Sequence, residues 1–402
     1  MLKTRVKEAL PPLFLLVNTL TLFNLTWLVI QDLLGKVPID EMLTVSASYY
    51  IAVIVSSFAG VALFRAILRK MDMLFRITLA GAFLYIFSVF FIITEGTFLS
   101  IVVTAFILGA SFGVIIPTCL TFFAGYSKVE GRGRLSAIIF FLIQFFTVVI
   151  YALASMLDAS CTLLVLAGWR FIGAASILLH RTLTGISEDV NIYPEKVVVK
   201  DRLFLLYFIP WFMFCLVNFV EIPLLERFFV EEFAIYTLAV MVIAGISAFL
   251  GGLICDLKGR RIASIAGFIL LGISYAVLNL FPNAVMAKIL FMVLEGVAWG
   301  ILYVTFIFVV WGDISEGKVR EVYYLVGGFP FLLSGLIQVA TQKFVNAIPI
   351  YASFSLASFF LFLAVIPLLY ASETLPEKTL RERELKNYIE KAKRVREKFT
   401  KG

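Results

Sequence analysis

One acid stands inside a long apolar stretch in the second half of this 402-residue chain. Glu295 lies at least roughly 15 Å from each end of the run Val285 to Trp311, at about 1.5 Å per helical residue. Trp299 and Tyr303 follow it at i+4 and i+8, which reads as one helix face. A charge in hydrocarbon costs about 3 kcal/mol or more unless it pairs or meets water. The chemistry open to Glu295 is therefore uptake and release of a proton; the alternative is a structural acid, paired with Lys288 or held neutral. Glu221 is the second proton-coupling candidate, on a face with Asn218, Phe214 and Trp211, and reads either as a vestibule acid or as an ordinary interfacial one. Arg170, inside another apolar run, reads as half of a structural ion pair or as a snorkelling cation.

Uncharged polar and aromatic residues mark candidate cavity walls. They are Asn18, Thr21 and Asn24 in the first apolar run and Gln144 in the fifth. Trp211 and Asn218 in the seventh, Trp299 and Tyr303 in the tenth, and Ser334 and Gln338 in the eleventh complete the set. Each of the polar ones serves equally well as hydrogen-bonding glue between helices. Few charges and many aromatics suit a small neutral or weakly charged organic solute. Enzyme chemistry finds no footing: His180 is the single histidine, no phosphate-cradling loop is present, and Cys119, Cys161, Cys215 and Cys255 are isolated in or beside apolar runs. No catalytic residue, metal or cofactor is expected.

The elements that must position these residues are membrane helices. Hydrophobic residues make up 61% of the chain and charged ones 15%, against an apolar share of about half in soluble domains. About twelve runs near the roughly 20 residues that span a bilayer lie between Leu10 and Tyr370. Their length and continuity point to helices, not barrel strands. Basic residues cluster on alternate links: Lys3, Arg5 and Lys7; Arg65, Arg69 and Lys70; Lys128, Arg132 and Arg134; Lys258, Arg260 and Arg261; Lys318 and Arg320. The positive-inside rule then places both termini in the cytoplasm, in a multi-pass protein expected in the plasma membrane. The polar link 181–202 divides a first half, 1–180, from a second, 203–371. Gly109-x-x-x-Gly113 in span four answers Gly296-x-x-x-Gly300 in span ten, as an internal repeat requires, although such pairs are also common packing devices. The tail, 372–402, holds a basic stretch from Glu377 with ten Lys/Arg against five Glu and an apolar stripe through Leu385, Ile389 and Phe399. It predicts a basic amphipathic helix on anionic lipid, with no nucleic-acid role.

Between spans eight and nine, the former placed near Phe233 to Ile254, the chain reads Gly252-Leu-Ile-Cys-Asp256-Leu-Lys-Gly259-Arg260-Arg261. A glycine where a helix ends permits left-handed geometry or close approach. Asp256 is placed to accept hydrogen bonds at a facing helix N-terminus, and Arg260 and Arg261 to anchor at lipid phosphates. The plain alternative is a charged turn obeying the positive-inside rule.

The spacing G-x-x-x-D-x-x-G-R-R resembles the cytoplasmic loop signature of the major facilitator superfamily. Ser372-Glu373-Thr374-Leu375-Pro376 is similar to the ending after the last span of many sugar porters in it, and a proline-stopped helix explains it equally. The first half departs from the signature: after Gly60 the carboxylate position holds Phe64 and the second glycine is missing. The resemblance implies an all-α integral membrane fold of about twelve transmembrane helices in two six-helix pseudo-repeats. Spans one, four, seven and ten would line a cavity between the halves, and the loop would latch them in the outward-facing state. It further implies a secondary active transporter, monomeric, moving a small-molecule substrate by alternating access, with protons as the candidate coupling ion. A non-transporting sensor or scaffold on the same fold is the competing reading.

Overall fold

The structure is a computed structural model and describes residues 2–68, 70–94, 97–184, 201–315, 319–345 and 347–376, with Leu385 and Ile389. Most of the central link and most of the basic tail, including its expected amphipathic helix, lie outside the described residues.

Among the described residues every regular element is a helix. That is the solution lipid imposes on long apolar runs, since backbone N–H and C=O groups must be satisfied within the segment. The first half comprises α1 (Leu2–Leu34), α2 (Ile39–Leu63), α3 (Met71–Thr94), α4 (Phe98–Gly113), α5 (Ile116–Tyr126), α6 (Arg132–Ala154) and α7 (Ala159–Thr184). The second comprises α8 (Arg202–Phe229), α9 (Phe233–Lys258), α10 (Arg260–Leu280), α11 (Val285–Tyr303), α12 (Val310–Ile314), α13 (Arg320–Val345), α14 (Ile350–Leu363) and α15 (Val365–Tyr370). Among the described residues eleven stretches are long and apolar enough to cross a membrane, but one of them, Arg202–Lys258, is 57 residues long and contains both α8 and α9. Twelve crossings result, with α4 and α5 forming the fourth, α11 and α12 the tenth, and α14 and α15 the twelfth.

Local sequence sets the interruptions. The fourth crossing breaks after Gly113 because Pro117, in the first turn of α5, brings no N–H to the preceding turn. In the tenth, the wider π winding of Val304–Val309 separates α11 from α12. Asp201 opens α8 by accepting the Leu203 backbone N–H at 3.0 Å.

Within each half the paired glycines do the same work. Gly109 and Gly113 bring α4 onto α2, where an added Cβ would lie 2.4 Å from the Tyr49 carbonyl oxygen or 2.0 Å from Ser56 Oγ. Gly296 and Gly300 bring α11 onto α9 in the same way, 2.7 Å from Ile243 Cβ and 2.5 Å from the Ala244 carbonyl oxygen. The fourth span of each half thus packs on the second span of that half. Between the halves, α6 packs on α9 and α2 on α13. Fifth-on-eighth and second-on-eleventh contacts are images of each other under a six-span repeat.

Candidate functional site

At the end of the bundle that carries the Gly252–Arg261 segment, three carboxylates hold the two halves and the chain's last described segment together. Asp256, in the last turn of α9, accepts the backbone N–H groups of Gly133 at 2.9 Å and Arg134 at 3.1 Å. Both donors belong to the first turn of α6, where a helix has N–H groups without internal partners and its dipole favours an anion. Arg134 Nε adds a 3.0 Å contact, but that side chain is 65% exposed, so the pair contributes under about 1 kcal/mol. The buried backbone bonds carry the contact. Asp256→Asn is expected to weaken the closed end by about 1–2 kcal/mol and to slow the conformational step without harming membrane insertion. Unchanged turnover in the purified variant would remove Asp256 from the gate.

Gly252 does not end a helix. The helix continues to Lys258, and the left-handed residue that stops it is Gly259, at φ +105°. One turn before Asp256, Gly252 is a point of contact: a Cβ there would lie 2.4 Å from the Gly133 carbonyl oxygen and 2.9 Å from Ala137 Cβ. The expected helix-ending role thus belongs to Gly259, and Gly252 supplies close approach.

Nor does Arg260 reach lipid. It is fully buried, donating from Nε to Asp313 Oδ2 at 2.7 Å and from Nη1 to the Cys255 carbonyl at 2.8 Å. Asp313 also accepts from Nη1 of Arg132, which comes from the other half. Arg132 is itself buried and held by Ser127 Oγ at 2.9 Å and the Ala124 carbonyl at 3.1 Å. Glu373 closes the far side, accepting the backbone N–H groups of Arg260 at 2.7 Å and Arg261 at 3.1 Å. Arg261 turns its guanidinium to the Ala371 carbonyl at 3.2 Å. Lipid anchoring fails for Arg260 because the buried acceptors Asp313 and the Cys255 carbonyl claim it, while Arg261 is half-buried.

Beyond this interlock lies a small cavity of about 40 Å³ between the halves. Its walls include Phe23 and Asn24 of α1, Pro117 of α5, Tyr303 and Trp311 of the tenth crossing, and Phe331 of α13. Of the ten expected wall residues, Asn24 and Tyr303 are there. Asn18 instead faces α7, donating to the Trp169 carbonyl at 2.6 Å. Thr21 is buried with its hydroxyl unpartnered, and Gln144 bridges the halves to the Met241 carbonyl at 3.4 Å. No residue of α8, the seventh crossing, lines the cavity: Trp211 stacks on Phe306 at 5.1 Å, and Asn218 is buried. Trp299 meets Phe214 edge-on at 4.9 Å, and Gln338 is half-buried. The Ser334 side chain lies outside the described residues.

Glu295 is buried, but it faces α9, where the Tyr236 hydroxyl donates to Oε2. Eight residues at 100° each leave Tyr303 about 80° round the helix from Glu295, so the two do not share a face. Lys288 is not its partner, lying 3.4 Å from Glu232 Oε2 and over the Phe228 and Phe229 rings. Glu221 is 4% exposed, with Oε2 unpartnered.

No sequence-family profile matches the chain, and no curated protein matches its sequence. Solved structures do. The proton:xylose symporter XylE, bound to 6-bromo-6-deoxy-D-glucose, superposes with a TM-score of 0.67 at 15% identity, over 92% of this chain and 97% of that one. The E. coli fucose:proton symporter FucP gives 0.65 at 14% identity, over 91% and 98%. The human organic anion transporter MFSD10 gives 0.64 at 14% identity, over 90% and 99%. The chain has the major facilitator fold.

Within the major facilitator fold of this chain, the interlock is lopsided. At the α2 corner, which mirrors that of α9, the carboxylate position holds Phe64, buried with its ring 6.2 Å from Phe122. Arg170 neither snorkels nor forms an ion pair among the described residues; it is fully buried and donates to Thr19 Oγ1 at 2.9 Å and Asn18 Oδ1 at 3.3 Å. Asp313 is the residue that sequence reading passed over. The available signal was an acid at the very end of an apolar run.

Proposed function

We propose that this protein is a secondary active transporter that carries a small organic solute across the membrane by alternating access. The observation that carries the reading is the interlock of Asp256 with the α6 N-terminus and of Asp313 with Arg132 and Arg260, which closes one end of a bundle whose cavity lies between the halves. The ion pairs that cross the halves among the described residues gather at that end, and such contacts are what a rocking carrier breaks and remakes. Under this reading the interlocked end is cytoplasmic, both termini lie on that side of the plasma membrane, the tail rests on anionic lipid, and the carrier works as a monomer. Sugar and organic-anion carriers among the fold's solved examples support transport as its use. Solute counterflow in proteoliposomes tests it: saturable exchange of any member of a broad panel supports transport, and none across the panel favours the sensor or scaffold, for which Phe64 in place of a carboxylate is the supporting observation.

Protons are the coupling ion in this proposal and Glu295 is their carrier, with Glu221 as the reserve. Glu295→Gln keeps the size and the acceptor that Tyr236 uses while removing proton exchange. Accumulation driven by a pH gradient is expected to vanish while solute exchange continues. Retention of wild-type, pH-dependent accumulation would make Glu295 structural and move the test to Glu221.

A further inference from the structure

The cavity wall says what kind of solute it fits. Fifteen described residues line it; none is charged and five are aromatic. Asn24, Tyr303, Tyr324 and Trp311 are the lining residues whose side chains carry a polar group. The Tyr324 hydroxyl is already committed, donating to the Phe308 carbonyl at 2.7 Å. The Trp311 N–H is buried and has no acceptor.

No cation lines this space to meet an anion. Arg132 and Arg260 share the Asp313 carboxylate, with Asp256 3.8 Å from Arg260, and Arg170 donates to Asn18 and Thr19. A sugar fares little better, because each hydroxyl it brings out of water needs a partner, and three uncommitted polar groups cannot satisfy a pentose or hexose. The cavity is smaller here than any organic ring, so loading requires the halves to part. What parts is ring from ring: Phe23 of the first half lies 5.4 Å from Phe331 of the second, and Phe140 stacks on Tyr303 at 4.7 Å. A flat apolar solute entering there takes over contacts that these rings now make with each other, and its acceptor relieves an indole N–H that has none.

We infer that the solute is an uncharged, mostly apolar molecule built on a flat ring and carrying a hydrogen-bond acceptor for Trp311, and is neither a sugar nor an organic anion; this rests on the transport reading above. The test is thermal stabilisation of the full purified chain in detergent, since a ligand that binds only the folded state raises the melting point in proportion to its occupancy. Coumarin, chromone and anisole are the acceptor-bearing probes, naphthalene the ring without an acceptor, and benzoate and D-xylose the excluded classes. At least one acceptor-bearing probe is expected to stabilise the wild type at lower concentration than naphthalene, with benzoate and xylose inert. Trp311→Phe should weaken the acceptor-bearing probe about five- to tenfold and leave naphthalene unchanged. Stabilisation by xylose or benzoate, failure of all three acceptor-bearing probes, or equal loss of naphthalene and coumarin in the variant would each overturn the assignment. If the variant does not fold, the wild-type panel alone decides. Binding without exchange in proteoliposomes would sink the transport reading and leave the ligand class standing; saturable xylose exchange would do the reverse.

Discussion

Asp313→Ala is expected to destabilise the protein by about 3–5 kcal/mol, the cost of leaving a buried charge without its counterion. Two guanidinium groups lose their partner at once, because Arg132 and Arg260 are both buried and both aimed at this carboxylate. Part of that cost can be relieved by opening the end of the bundle to water. The variant should therefore both melt earlier and expose what the interlock covers. Cys255 offers the readout: it is fully buried, its carbonyl accepts from Arg260, and its thiol lies 3.2 Å from Thr305 Oγ1. With the exposed Cys161 changed to serine, maleimide labelling of Cys255 should quicken at least tenfold in the Asp313→Ala protein. Wild-type melting together with wild-type labelling would show that the two arginines find their counter-charge elsewhere.

Gly252→Val is expected to act on the equilibrium between conformations more than on the fold. The added side chain meets the Gly133 carbonyl and Ala137, which lie on a helix of the other half and cannot yield as a flexible side chain would. Overpacking of this kind costs about 1–3 kcal/mol, paid wholly by the state in which α9 and α6 touch. At about 1.4 kcal/mol per factor of ten, the closed-to-open ratio falls by roughly five- to 140-fold. Solute exchange in proteoliposomes should drop by a similar factor, with a smaller melting shift than Asp313→Ala produces. Exchange at the wild-type rate would mean that this approach plays no part in the working cycle.

The helices were legible because lipid leaves so few alternatives: apolar run length and basic links identify twelve crossings with little help from tertiary contacts. The glycine pairs were legible too, since close packing depends on a missing side chain that the sequence displays. The carboxylate at 256 faces a helix start that a turn of the same spacing would also have suggested. What could not be read were pairings set by the assembled halves. Arg132 and Asp313 are 181 residues apart, and nothing in either link names the other. Arg260 sits in a basic cluster that looks bound for lipid until Asp313 and Glu373 are brought beside it. Glu295 and Tyr303 were assigned to one face because eight residues is close to two turns, yet the remaining 80° or so of rotation sends one toward α9 and the other toward the cavity.

On the transport reading proposed above, the one-sided interlock acts as the latch of a door whose hinge lies opposite. Along the α6 and α9 edge the closed state is held by directional bonds to Asp256 that fail within an ångström or two of separation. Along the α2 and α13 edge the halves meet through rings, Phe58 against Phe329 at 6.3 Å, and rings can slide and tilt while staying in contact. On that reading, opening is expected to swing about the greasy edge, with the solute path widening first beside α9. Spin-label distances across the two edges should grow unequally, more from α6 to α9 than from α2 to α13, where two equal edges would give a symmetric rock.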